Sequence, residues 1–227
     1  MHYAIPTAGL APYSCGERPA QPPLAQGRRD ILLSGLLFAL LTTLTNFINA
    51  GMSAHMISIL AALGIGSALA VWIAALRGVG QCAARLMEVF SGRAVDPLAL
   101  NLAACLLLPL SFAIGLAARG SAAAAVAFSL LYGAANGLLT ITRGTLPLAL
   151  FDHRSYGGMV GRLVAPGFLF SAAAPVLYAW LMQGAGAQAG LWLSAACALA
   201  ILLSAAALWR MFRNRNAAAI PTHLGAK

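Results

Sequence analysis

The chain has 227 residues, 61% of them hydrophobic and 8% charged, with a mean hydropathy of +0.83. A soluble domain carries about 25% charged residues, so this chain could not cover a water-facing surface and falls in the integral membrane class. Its formal charge of +9 comes with no RNP, helix-turn-helix or finger pattern, which argues for cytoplasmic loop charge and against nucleic-acid binding.

Residues 1–29 are rich in Pro, Gly and small polar residues and lack the continuous apolar core of a secretory signal. They read as a disordered cytoplasmic tail ending at Arg28-Arg29. The six-helix region then covers 30–212, and 213–227 form a second cytoplasmic tail.

The first apolar segment runs from Ile31 to about Leu63. At about 1.5 Å per residue it exceeds the roughly 30 Å hydrocarbon core, so it is expected to tilt, or to bend near Asn49–Met52. The turn signal "LGIGS" (Leu63–Ser67) follows. Further segments span Ala68–Phe90, Leu98–Ala118, Ala122–Phe151, Met159–Met182 and Leu191–Phe212. An alternative division starts a new helix at Ala54 and leaves 79–91 as a short interfacial piece, but it ignores the "LGIG" turn. The fifth segment contains Pro166 and Pro175 and is expected to bend. The expectation is an all-α protein of six transmembrane helices.

Arginine placement sets the orientation. With the N-terminus inside, Arg28, Arg29, Arg93, Arg154, Arg162, Arg210, Arg213 and Arg215 all lie at the inner side, and Arg119 alone falls in an outer loop. Both termini are therefore expected to be cytoplasmic. Cys15, Cys82, Cys105 and Cys197 form no CxxC and read as free thiols. No metal site and no cofactor are expected.

Three segments carry polar stripes at helical spacing. Ser129, Tyr132, Asn136, Thr140 and Arg143 are separated by 3, 4, 4 and 3 residues. Arg77, Gln81, Arg85 and Glu88 follow 4, 4 and 3, and Thr42, Asn46, Asn49 and Ser53 follow 4, 3 and 4. A lipid-facing Arg at mid-bilayer costs about 2.5–3.5 kcal/mol even on a lenient scale, so these stripes should face a bundle interior or a watery cavity. Asn, Ser and Thr in such helices also serve simply to bond a neighbouring helix, and that reading stays open for Thr42, Ser53 and Ser129. Arg85 and Glu88 lie one turn apart, where an ion pair would be structural or gating. His55 is a titrating candidate or a solvated interfacial residue. Gly133 and Gly137 form a small-xxx-small pair suited to close helix packing.

No Gly-x-Ser-x-Gly nucleophile, HExxH or Asp-rich metal motif is present, so no catalytic residue is assigned and an enzyme is not expected.

"GVGQCAARLMEVFSGR" (Gly78–Arg93) resembles the loop signature between helices eight and nine of major facilitator superfamily transporters. "MSAHMISIL" (Met52–Leu60) resembles the first helix of the second half of those proteins. "YGAANGLLTITRGTLPL" (Tyr132–Leu148) and "YGGMVGRLVAP" (Tyr156–Pro166) resemble their tenth and eleventh helices. The resemblance covers about Arg29 to Phe212. The usual Asp-Arg pair ahead of the Gly-Arg is replaced by "EVFSGR", which makes Glu88 the candidate loop anchor.

The superfamily joins two six-helix halves, each an inverted 3+3 repeat, and this chain resembles the second half alone. The resemblance implies a multi-pass protein of the bacterial inner membrane, surrounded by lipid. It implies a half of an alternating-access transporter, whether split or truncated, needing a separate N-terminal half or a second copy. The alternative is a non-transporting six-helix scaffold or partner subunit. It further implies that the first, second, fourth and fifth helices line the cavity. On that basis Arg77, Gln81, Tyr132, Asn136, Arg143, Asn46 and Asn49 are candidate solute contacts. Arg85, Glu88 and Arg93 are a candidate gating cluster, with Glu88 and His55 as candidates for proton coupling. Three intramembrane arginines against one acid, Glu88, point to an organic anion or a neutral polar solute.

Overall fold

The computed structural model describes residues 23–90, 96–151 and 156–219. These form six helices: α1 (Arg28–Ala62), α2 (Ser67–Phe90), α3 (Pro97–Ala117), α4 (Ala122–Leu150), α5 (Tyr156–Ala185) and α6 (Gln188–Ala219). Each contains a stretch long and apolar enough to cross a membrane.

α1 runs unbroken for 35 residues through Asn49–Met52, so no new helix starts at Ala54. Gly51 is tolerated because its missing side chain admits the ring of Tyr178 from α5. α1 stops at the "LGIG" turn, where Gly64 takes φ +91°. α3 starts with Pro97 in its first turn, and the Asp96 carboxylate accepts from the Ala99 amide at 3.1 Å. Ser121 caps α4 in the same way, through the Ala124 amide at 3.4 Å.

Regular structure reaches into both segments read as tails. α6 continues to Ala219, since "RNRNAAA" holds strong helix formers and no breaker. At the other end, Leu24 and Ala25 are buried, and their amides donate to the Ala149 and Leu150 carbonyls at 3.1 Å each. They satisfy carbonyls that a helix end leaves without partners.

α1 packs on α5 and α6, α2 on α4, and α3 on α4 and α6. Contacts along α2 and α4 advance together, Ile73 with Ser129, Arg77 with Gly133 and Gln81 with Gly137, so these two helices run parallel. α1 and α5 do likewise, from Gly35–Leu163 to Gly51–Tyr178. The main core joins Ile48, Met52, Ile73, Phe112, Phe128, Tyr132, Tyr178 and Ile201. A second cluster at the end bearing the N-terminus joins Leu24, Phe38, Leu98, Leu146, Phe151 and Phe212. α2 and α5 are the least covered, with Trp72, Met87, Phe168, Leu169 and Trp180 exposed.

Candidate functional site

The α4 stripe divides when the neighbouring helices are in place. Ser129 is buried and its hydroxyl donates to the Ile73 carbonyl of α2. Tyr132 is fully buried in an aromatic cluster, 5.4 Å from Phe112 and 6.0 Å from Phe128 between ring centroids. Its hydroxyl has no partner at hydrogen-bond geometry among the described residues, although Arg77 and Asn136 lie within electrostatic reach. Asn136 is buried and donates to the Tyr132 carbonyl at 3.0 Å, while Thr140 bonds the Asn136 carbonyl at 2.8 Å. These groups bond to backbone carbonyls, as polar residues of membrane helices commonly do. Tyr132 and Asn136 are therefore buried within this bundle.

Arg143 behaves differently. It is half-buried, and its Nη2 donates to Asn46 Oδ1 on α1 at 2.5 Å. Asn46 is also fixed from the other side, because Ser171 of α5 donates to its carbonyl at 3.5 Å. Gly167 of α5 lies against Thr43 and Asn46, so α5 approaches closely at this point. A guanidinium has five N–H donors, and the Asn46 amide oxygen occupies only one position of the fork.

Arg77 is the second intramembrane cation held across helices. Its Nη1 donates to Ser53 of α1 at 2.9 Å, and its guanidinium carbon lies 5.9 Å over the Tyr132 ring. What places it there is the glycine pair of α4. A Cβ on Gly133 would collide with the Arg77 carbonyl, and one on Gly137 would crowd the Gln81 carbonyl. Gly80 on α2 faces the Leu130 carbonyl just as closely. Close packing of the two backbones thus sets the height of Arg77 and Gln81, and Gln81 itself is half-buried.

Asn46 and Ser53, which receive the two arginines, are seven residues apart on α1, about 10 Å along its axis. Asn49 lies between them and is exposed. Arg143, Asn46, Asn49, Ser53 and Arg77 therefore form a polar track crossing α4, α1 and α2. The neutral partners Asn46 and Ser53 leave both cationic charges uncompensated by these bonds.

The remaining candidates are dispersed. Arg85 is exposed, and Glu88 is half-buried at the rim of an apolar groove between α2, α3 and α4. Among the described residues no ion pair joins them, although at i, i+3 on α2 they share one face. Arg93, the third member of the candidate gating cluster, lies outside the described residues. His55 is half-buried, its Nε2 donates to the Pro175 carbonyl at 2.9 Å, and its ring stacks on Tyr178 at 6.3 Å. That is a helix-joining role between α1 and α5. Tyr178 continues the link, its hydroxyl 2.7 Å from Ser194 of α6.

Sequence reading missed Ser171, Tyr178 and Ser194. Each is a single polar group in an apolar helix, and only its partner on a distant segment gives it meaning. No family model, curated protein or solved structure matches this chain.

Proposed function

We propose that the chain is one six-helix half of an alternating-access transporter of the major facilitator type. In this reading it sits in the bacterial inner membrane with both termini cytoplasmic, and completes its pathway with a separate half or a second copy. The observation that carries the reading is Arg143: a guanidinium within a membrane span, tied to another helix by a neutral amide. Such a group is costly in lipid and is retained where it serves a pathway.

Helix pairing supports the 3+3 arrangement. Exchanging α1 with α4, α2 with α5 and α3 with α6 turns the α1–α5 contact into α4–α2 and the α3–α4 contact into α6–α1. The most extensive packed pairs map onto one another, as an internal repeat requires, while the smaller α5–α6 contact has no α2–α3 counterpart among the described residues. Exposure of α2 and α5 fits a face that a second bundle covers. The solute is an organic anion or a neutral polar molecule, because the track offers donors and positive charge. Its contacts are Arg143, Asn46, Asn49, Arg77 and Gln81. The chain is a carrier and no enzyme, with gating by Arg85, Glu88 and Arg93 and proton coupling at Glu88.

Proteoliposomes holding the full chain, alone and with any cognate half, would be tested with labelled carboxylates, phosphate esters, polyols and organic cations. Anion uptake that Arg143→Ala abolishes and Arg143→Lys restores in part is the expected result, since Lys keeps the charge and loses the planar fork. Cation uptake that tolerates Arg143→Ala would overturn the reading and leave Arg143 a structural link.

A further inference from the structure

A groove of about 830 Å³ runs between α3 and α6, on a side of the bundle away from the polar track. Its walls include Leu106, Leu110, Ala113 and Leu199, and its mouth holds Arg119 and Trp192. From Leu106 to Ala117 the α3 wall rises 11 residues, about 17 Å, close to the roughly 15 Å depth of one hydrocarbon leaflet. Trp192 is 62% exposed at the start of α6, where interfacial tryptophans sit.

Arg119 is held at the mouth by backbone geometry. The turn after α3 places it at φ +34°, a left-handed conformation unusual for arginine, followed by Gly120 at φ +84°. The Ser121 amide closes that turn on the Ala118 carbonyl at 2.6 Å. Among the connections on this side of the bundle, at 63–66, 118–121 and 186–187, Arg119 is the single Lys or Arg. The result is an apolar slot one leaflet deep, with one cation at headgroup height and an aromatic beside it. Water would fill such a slot poorly, and a soluble anion would gain nothing from its walls.

We infer that the groove binds one phospholipid of anionic headgroup, an acyl chain lying between α3 and α6 and the phosphate against Arg119. The charge at the mouth selects the headgroup and the depth of the slot selects a membrane lipid. This site is independent of the transport reading.

The test uses the full chain with Trp72, Trp180 and Trp209 changed to Phe, so that Trp192 alone reports. It is reconstituted in phosphatidylcholine vesicles containing brominated phosphatidylglycerol or brominated phosphatidylcholine. Quenching of Trp192 should show about a fivefold preference for the anionic lipid, the factor expected of one cation near a membrane surface. Arg119→Lys should keep most of that preference and Arg119→Ala should bring it to about one. Ala113→Phe, which fills the slot, should weaken quenching by both lipids. A matched chain retaining only Trp180 should show no preference. Equal preference at Trp192 and Trp180, or a preference that survives Arg119→Ala, would overturn the proposal.

Discussion

Gly133→Ala is the substitution that most directly tests how the α2–α4 contact is built. A Cβ at Gly133 would meet the carbonyl oxygen, carbonyl carbon and Cα of Arg77. All three are backbone atoms, so no side-chain rotation relieves the overlap. Restoring an ordinary contact requires the helices to part by roughly 1 Å. Overpacking of this kind costs about 1–3 kcal/mol, against about 0.5–1 kcal/mol gained by replacing a helical Gly with Ala. The net expectation is a loss of up to about 2.5 kcal/mol. Gly78, one residue after Arg77, has nothing within 4 Å of its would-be Cβ. Gly78→Ala should therefore stabilise by about 0.5–1 kcal/mol. The two variants isolate the contact, because the chemical change is the same and the expected sign is opposite. Unfolding of the purified chain in mixed detergent and SDS micelles, followed by circular dichroism, measures both. Equal stability of the two variants, or a more stable Gly133→Ala, would refute the close-packed contact and the placement of Arg77 that depends on it.

Other expectations can be checked separately. Tyr178→Phe removes the hydroxyl bonded to Ser194 at 2.7 Å and should cost about 1 kcal/mol in the same unfolding assay; no change would mean the bond does not form. In a chain without native cysteines, Ala187→Cys and Arg213→Cys should react with impermeant reagent from opposite sides of the membrane, and labelling from one side would contradict the six-span topology. Glu88→Gln should shift the inward–outward balance, read by accessibility of Cys82 on α2, and leave solute selectivity unchanged. An altered solute profile with normal accessibility would remove Glu88 from gating.

The helices themselves were legible in the chain. Hydropathy and the punctuation by Gly, Pro and charge placed all six, because a membrane span must be long, apolar and internally hydrogen-bonded. The ends were less legible. Leu24 and Ala25 sit in a Pro-rich stretch that reads as tail, and only the α4 carbonyls at Ala149 and Leu150 reveal what they bind. The polar stripes were found by spacing, yet spacing shows only which residues share a face. It could not separate Tyr132 and Asn136, which turn into the core, from Arg143, whose partner Asn46 is 97 residues away in the chain. The Gly133–Gly137 pair was visible as a packing motif, but its partner helix was not. In water, burial follows hydrophobicity, so a sequence pattern indicates the inside of a fold. In lipid the outside is as apolar as the inside, and which face of each helix is covered is decided by close packing and by the few polar bonds that cross between helices.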